Sequence, residues 1–429
     1  MTASPAVPSD HGLRTAFPAT LLIALAALAA VAPLATDAYL PAFAQMADDL
    51  GVSASSVQLT MTTFLVGIAL GQLGIGVLSD RVGRRPLVLW GSVLALAASV
   101  AAALAPGLAL LLIARFFQGL GGAAGMVLGR ALISDRSRGI TAARALSVVM
   151  AIQGIAPVVA PILGGVLVEP IGWRGILGVV AAFTGLLVVM VLLWVPESLP
   201  AERRHDGGLR MLLDGTRELA RDHVLVRLLF INALSFGLLM AYLSAAPFVL
   251  RNVLGMGTVA YTAVFGLCGA TVTVTIAVAA SLVRRFSQAR QVRVGLIAGL
   301  VVDTVFAGVC LMWLREPVTG PERMPLLVAV VALFLAHVAC LGLSMGNAPA
   351  LALDRTGRWA GTGSALLGFL QFVVGGLVSP LVGLTGEASG VAFGVVIVAV
   401  GAIANILAVF GLRERGEKQR LAAQVTECR

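Results

Sequence analysis

Charge is scarce in this chain. Only 12% of its 429 residues are Asp, Glu, Lys or Arg, about half the share found in ordinary soluble domains. Lysine is almost missing, with Lys418 the one lysine among 30 basic residues. The four cysteines show no Cys-x-x-Cys or Cys/His spacing, so neither a disulfide scaffold nor a metal site is expected. Low charge combined with 59% hydrophobic residues and a mean hydropathy of +0.98 excludes disorder and a soluble enzyme core.

What the sequence has instead is long apolar runs. A helix needs about 20 apolar residues to cross the hydrocarbon core of a bilayer. Twelve runs of roughly that length lie near 17–40, 56–78, 87–105, 108–132, 143–167, 175–195, 224–250, 258–283, 293–314, 325–350, 359–383 and 389–411. They far exceed the ~10-residue alternating segments of a membrane barrel, so the fold expected is an all-α membrane protein. Ala-x-Ala triplets in the first run, after Arg14, resemble a cleavable signal. The run is too long for the apolar core of one.

The arginines then set a direction. With both termini on the cytoplasmic side, 25 of the 30 basic residues fall in cytoplasmic segments. The opposite loops hold four, Arg174, Arg251, Arg315 and Arg323, and Arg115 alone lies inside a run. This is a strong positive-inside bias. It explains the net charge of +9 without nucleic acid, and the expected partner surface is a lipid bilayer.

The longest polar stretch, Pro196 to Asp222, separates two sets of six runs. The expected organisation is a cytoplasmic tail over 1–16, a six-helix bundle over 17–195, a cytoplasmic linker over 196–222, a second bundle over 223–411 and a cytoplasmic tail over 412–429. Faint echoes link the halves: Arg84-Arg85 with Arg284-Arg285, and Gln153 with Gly164-Gly165 against Gln371 with Gly375-Gly376. Transporters built from two such repeats place their site near the midplane between them.

Three motifs sharpen this reading. After the second run comes Gly76, Asp80, Arg81, Gly83, Arg84 and Arg85 at a helix-to-helix turn. The fourth run carries Leu111, Arg115, Gln118, Gly119 and Gly121. The fifth carries Gly154, Pro157, Pro161, Gly164 and Gly165. They resemble motifs A, B and C of the major facilitator superfamily, motif C being the antiporter motif. Ala160 stands where a glycine commonly precedes the second proline. Thr36-Asp37-Ala38-Tyr39-Leu40-Pro41 and Ser56-Val57-Gln58-Leu59-Thr60 are similar to the twelve-span drug:proton antiporters. The nearest likeness is to the bicyclomycin/chloramphenicol-resistance group. Tyr242 to Phe248 and Gly361 to Leu366 agree with it, and the resemblance covers nearly all of 17–410.

The resemblance implies two six-helix bundles rocking about a central site, with the motif A residues as a conformational latch. Protons would supply the energy and no cofactor would be needed; no Gly-Lys-Ser/Thr follows the motif A glycines, so they are not a Walker loop. The expected function is proton-coupled export of small amphipathic drugs from a bacterial inner membrane by a monomer. Export of an endogenous metabolite, and less readily proton-coupled uptake, are the alternatives. No reactive constellation at the membrane face points to an enzyme.

Three charges fall well inside apolar runs: Asp37, Arg115 and Asp303. Each costs about 2.5–3.5 kcal/mol by insertion scales and is a functional candidate by default. Asp37 and Arg115 are expected to communicate, directly or through Gln118, and to couple protons to substrate. Asp303, in the ninth run, is read chiefly as a structural hydrogen-bonding group, with a second proton site as the other reading. Asn232, Tyr242, His337 and Gln371 are candidate cavity residues, and Phe64, Phe236, Met240 and Phe369 candidate apolar walls.

Overall fold

A chain crossing hydrocarbon must satisfy its own backbone N–H and C=O groups, and a continuous apolar run does so as a helix. The computed structural model describes residues 18–427 apart from 137–138, 201, 203, 205–207 and 387–388. Side chains at 411–427 and at several positions of 134–158 also lie outside the described set. Every regular element among the described residues is helical.

The first half contains α1 (Ala19–Asp37), a 3-10 turn (Leu40–Ala42), α2 (Phe43–Leu50), α3 (Ala54–Val82), α4 (Arg84–Ala103), α5 (Leu108–Arg136) and α6 (Gly139–Trp194). A short helix α7 (Gly208–Ala220) follows. The second half contains α8 (His223–Pro247), α9 (Thr258–Leu282), α10 (Gln288–Trp313) and α11 (Arg323–Leu353). It closes with α12 (Ala360–Val378) and α13 (Val391–Glu427). A wide π turn, Phe248–Val253, extends α8, and a 3-10 turn, Ser379–Gly383, extends α12.

Eleven helical stretches among the described residues are long and apolar enough to cross a membrane. The runs expected at 143–167 and 175–195 both fall on α6, which contributes one stretch, Val159–Trp194. Gly172 interrupts that helix with φ 64° and ψ −179°. A residue without Cβ turns the chain here in a single step, where a polar loop was expected.

The 196–222 linker contains α7, and the stretch from 412 continues α13 as helix to Glu427. The 1–16 tail lies outside the described residues.

Caps fix several helix starts. Ser53 Oγ accepts from Ser56 N, Ser287 Oγ from Arg290 N, and Asp222 from Val224 N and Leu225 N. Each satisfies backbone donors that a helix terminus leaves open.

Packing divides by halves. In the first, α5 packs on α3 and α4, and α6 on α1 and α4; in the second, α11 packs on α9 and α10, and α8 on α12 and α13. The halves meet through α3 against α12 and α6 against α9. Large apolar side chains such as Trp90, Val166, Leu193 and Val301 face outward, as expected where lipid replaces water.

Candidate functional site

Tight approach of α3 to α5 places Arg115 inside the first half. Gly67 and Gly119 make that approach possible, because a Cβ at either would meet backbone of the facing helix. Arg115 has no exposed surface and Asp37 has 3%, so both charges have left the solvent. The Arg115 guanidinium lies 4.5 Å from the Tyr39 ring centre and 4.4 Å from that of Phe64. Its Nη1 donates to Gln118 Oε1 at 2.6 Å and its Nε to the Thr60 carbonyl at 3.4 Å. Nη2 is buried without a hydrogen-bond partner.

The expected bridge from Arg115 to Asp37 takes another form. Among the described residues no carboxylate oxygen lies within 4.0 Å of the guanidinium. Gln118 Nε2 donates instead to Ser99 Oγ on α4 at 2.7 Å. The two charges still lie within electrostatic reach of one another. Tyr39 joins the groups, since its hydroxyl lies 3.0 Å from Thr60 Oγ1. Tyr242 and Tyr261 of the second half also lie within the field of Asp37.

Across from this cluster, Asn232 Nδ2 donates to Gln371 Oε1 at 3.1 Å, joining two of the expected cavity residues on α8 and α12. Tyr242 stacks on Phe265 at 5.6 Å and meets Phe334 edge-on at 5.1 Å. Phe236 and Met240 close over Gly375, where a Cβ would come within 3 Å of both. Phe369 is half-buried against the same core. His337 takes a different place from Tyr242 and Gln371: its Nδ1 lies 2.5 Å from Asp303 Oδ1, and each side chain is 1% exposed. The hydrogen-bonding role expected of Asp303 therefore has a named partner.

The two halves are sealed at one end. Gln58 Nε2 donates to the Ser244 carbonyl and Thr62 Oγ1 to the Gly376 carbonyl at 2.8 Å. Ser244 Oγ and Ser379 Oγ lie 2.6 Å apart, and each also contacts Met61 Sδ. Arg251 Nη1 donates to the Pro41 carbonyl. Gly164 and Gly165 bring α6 close to both halves: a Cβ at Gly164 would fall 1.7 Å from the Ala38 carbonyl oxygen, and one at Gly165 2.2 Å from Thr262 Oγ1. Pro161 is buried on the same helix. The side chains of Gly154 and Pro157 lie outside the described residues.

The opposite end carries the charged turn. Arg84 pairs with Asp80 at 2.7 Å and with Asp135 at 3.1 Å, and also contacts Ser79 Oγ. Its backbone N–H donates to Glu197 Oε1, which accepts from Ser198 N and Leu199 N as well. Gly83, with φ 109°, has Glu197 where a Cβ would stand. Arg85 Nη2 donates to the Leu192 carbonyl; Gly76 sits opposite Val127. Asp135 and Glu197 went unnoticed in the sequence, because nothing but the fold brings three distant segments to one turn. Nearby, Asp222 binds Arg355 at 2.7 Å and Glu218 binds Arg358 at 2.5 Å, tying the linker helix to the start of α12.

The sequence profile of the Major Facilitator Superfamily matches residues 25–380. A relative in Bacillus subtilis (strain 168), an uncharacterized MFS-type transporter called YdgK, is 33% identical over 399 residues, spanning 91% of this chain and 95% of its own. A bicyclomycin resistance protein homolog of Haemophilus influenzae is 29% identical, over 84% of this chain and 88% of its own. Among solved structures, a D-xylose-proton symporter superposes with a TM-score of 0.69 at 16% identity, covering 91% and 96% of the two chains.

Proposed function

Because the chain belongs to the Major Facilitator Superfamily, a family of multi-pass transporters of small molecules, we propose that it exports small amphipathic compounds in exchange for protons. The compounds are of the chloramphenicol or bicyclomycin type, and the membrane is a bacterial inner membrane. Counting α6 as two spans, one on each side of Gly172, gives twelve helices in two bundles of six. Both termini then lie in the cytoplasm, with the sealed end outward and the arginine-rich end inward. Alternating access exchanges the contacts at the sealed end for a closure between the halves at the cytoplasmic end, beside the turn that Arg84 already ties to Asp80, Asp135 and Glu197.

The observation that carries this reading is the buried arrangement around Asp37. With Asp37 ionised, its charge and that of Arg115 offset one another at a distance. When Asp37 takes a proton from the outer side, Arg115 is left as an uncompensated cation. Two aromatic faces and Gln118 hold it in that state; each cation–π contact contributes about 0.5–2 kcal/mol. An arginine braced by neutral groups can therefore stay in place while the carboxylate beside it changes charge. Drug entry from the cytoplasm favours loss of the proton inward, and a cationic or dipolar drug takes up part of the freed negative charge. One charge moving down 100 mV supplies about 2.3 kcal/mol.

The name of the Haemophilus influenzae relative supports drugs over nutrients as cargo, while the symporter likeness speaks for the fold alone. No resident cofactor enters this scheme. The test is accumulation of a compound panel, chloramphenicol included, in inverted membrane vesicles with an imposed pH gradient. Accumulation that follows the gradient supports antiport, and accumulation indifferent to it overturns the reading.

A further inference from the structure

Asp303 on α10 and His337 on α11 form a buried pair outside the cluster just described. Their 2.5 Å contact uses His337 Nδ1, so the second ring nitrogen points elsewhere. That nitrogen, Nε2, is buried with no hydrogen-bond partner, and so is Ser344 Oγ seven residues further along α11. Both residues line a cavity of about 10 Å³, together with Leu238, Gly299, Asp303 and Gly401. This is close to the smallest volume that accepts one water. Gly401 lies beside the carboxylate, where a Cβ would stand 3.4 Å from Asp303 Oδ2, in ordinary contact.

Among the described residues that line the cavity, the charge of this site has no compensation but its own. From α10 the cavity receives Asp303, from α11 His337 and Ser344, from α8 the apolar Leu238, and from α13 Gly401; the Cys340 thiol lies within the field of Asp303. The part of α13 between Val391 and Phe410 contains no ionisable residue. The Leu238 backbone also approaches the imidazole as a weak hydrogen-bonding neighbour, without closing on Nε2. An ionised Asp303 beside a neutral imidazole is a lone buried anion, which is costly in a medium of low dielectric. One added proton makes the pair neutral overall. A purely structural bolt would need only the Asp303–Nδ1 contact; it would not need an open polar nitrogen and a hydroxyl facing a water-sized space.

We infer that Asp303 and His337 form a second proton-binding site, inside the second half, which loads and unloads through the cavity beside His337 Nε2. In the unloading step the Nε2 proton passes to a water in the cavity and leaves as hydronium. The neutral imidazole keeps its Nδ1–H on the Asp303 carboxylate. Loading reverses these steps. As a part of transport, the site rests on the antiport reading above; as a titrating pair, it does not.

The test is nitrogen NMR of the full-length protein, labelled with 15N-histidine and held in lipid nanodiscs, across about pH 5–9, the range in which imidazoles titrate. The chain has four histidines, and the His337 signal is the one that disappears in H337N. The expected result is a single protonation step at His337, displaced by about one pH unit or more in D303N. A signal that keeps one protonation state throughout, or a step that D303N leaves in place, overturns the site. The double variant D303N/H337N keeps an uncharged hydrogen-bonding pair and guards against mere misfolding. It is expected to melt with the parent protein yet export with an altered pH profile; a parental profile counts against the site. If His337 titrates with Asp303 while export ignores the pH gradient, antiport falls and the site stands. If export follows the gradient while His337 is silent, the site falls and antiport stands.

Discussion

Arg115 lies with its guanidinium 4.5 Å from the ring centre of Tyr39, the residue two places after Asp37, rather than in an ion pair with Asp37 itself. This separates the cation from the carboxylate proposed to carry the proton. A direct pair would hold the carboxylate ionised and resist protonation. A cation caged by rings and amides leaves the carboxylate free to change charge.

Arg115 should accordingly matter more to export than to stability. Replacing a buried charge that has no carboxylate partner with an apolar side chain of similar length removes a desolvation cost of several kcal/mol, against the loss of the Gln118 bond, worth about 1.5–3 kcal/mol for a charged donor, and of two cation–π contacts at about 0.5–2 kcal/mol each. R115M is expected to melt within a few degrees of the parent and to lose gradient-driven export. R115K keeps the charge but not the planar stack, and is expected to export at a small fraction of the parental rate. Melting curves in detergent read beside vesicle transport check both; a collapse of stability in R115M would assign Arg115 to folding.

The approach of α6 to Ala38 makes a prediction with an internal control. Gly-to-Ala within a helix ordinarily gains up to about 1 kcal/mol. At Gly178 a Cβ meets nothing within 4 Å, and G178A is expected to follow that rule. At Gly164 the new Cβ would overlap the Ala38 carbonyl oxygen at 1.7 Å, so the helices must part at a cost of about 1–3 kcal/mol or more. G164A is expected to lower the melting temperature and disturb the Asp37 end of α1. Equal melting of the two variants would contradict the packing described.

Several of these features were legible in the sequence. Apolar length predicted the spans, and the lone intramembrane charges singled out Asp37, Arg115 and Asp303, because such groups are costly wherever they fall. Gly164 and Gly165 were visible as small residues in a helix. Their partners were not, since Ala38 and Thr262 meet them through tertiary packing alone. The Asp303–His337 contact was hidden for the same reason: 34 positions separate the residues, and the rotation of α10 against α11 decides whether they face each other. The break at 168–174 was legible from Glu169, Pro170 and Arg174, but not that the backbone angles of Gly172 alone would make it.

The seal between Met61, Ser244 and Ser379 predicts a cross-link. With the four native cysteines replaced, M61C and S379C are expected to join as a disulfide under a membrane-permeant oxidant in the resting protein, because Met61 Sδ lies 3.6 Å from Ser379 Oγ. Joining should stop export, and reducing the disulfide should restore it. Free export by fully cross-linked protein would show that this end does not open during transport.

Asp222 gives a prediction for acid stability. Partial burial works against its ionisation, but Leu225 N–H, Arg355 and Val224 N–H outweigh this and hold its pKa below the usual carboxylate value. A depressed pKa stabilises the fold at every pH above the ordinary carboxylate value, about 4, and that contribution fades as the pH falls through the lowered value. D222A removes the cap, at a cost of about 0.5–2 kcal/mol, and frees Arg355. Its deficit in melting temperature should be full near pH 7 and shrink in strong acid; a deficit independent of pH would point to packing alone.

The central claim is that Asp37 carries the coupled proton, and its most direct test separates movement of drug from movement of protons. Inverted vesicles containing D37N are loaded with a transported compound and assayed for drug exchange without a gradient, then for accumulation with one. The account predicts that D37N retains exchange at a rate comparable to the parent and loses pH-driven accumulation altogether. Accumulation by D37N at parental levels, with equal amounts of protein in the membrane, would contradict it.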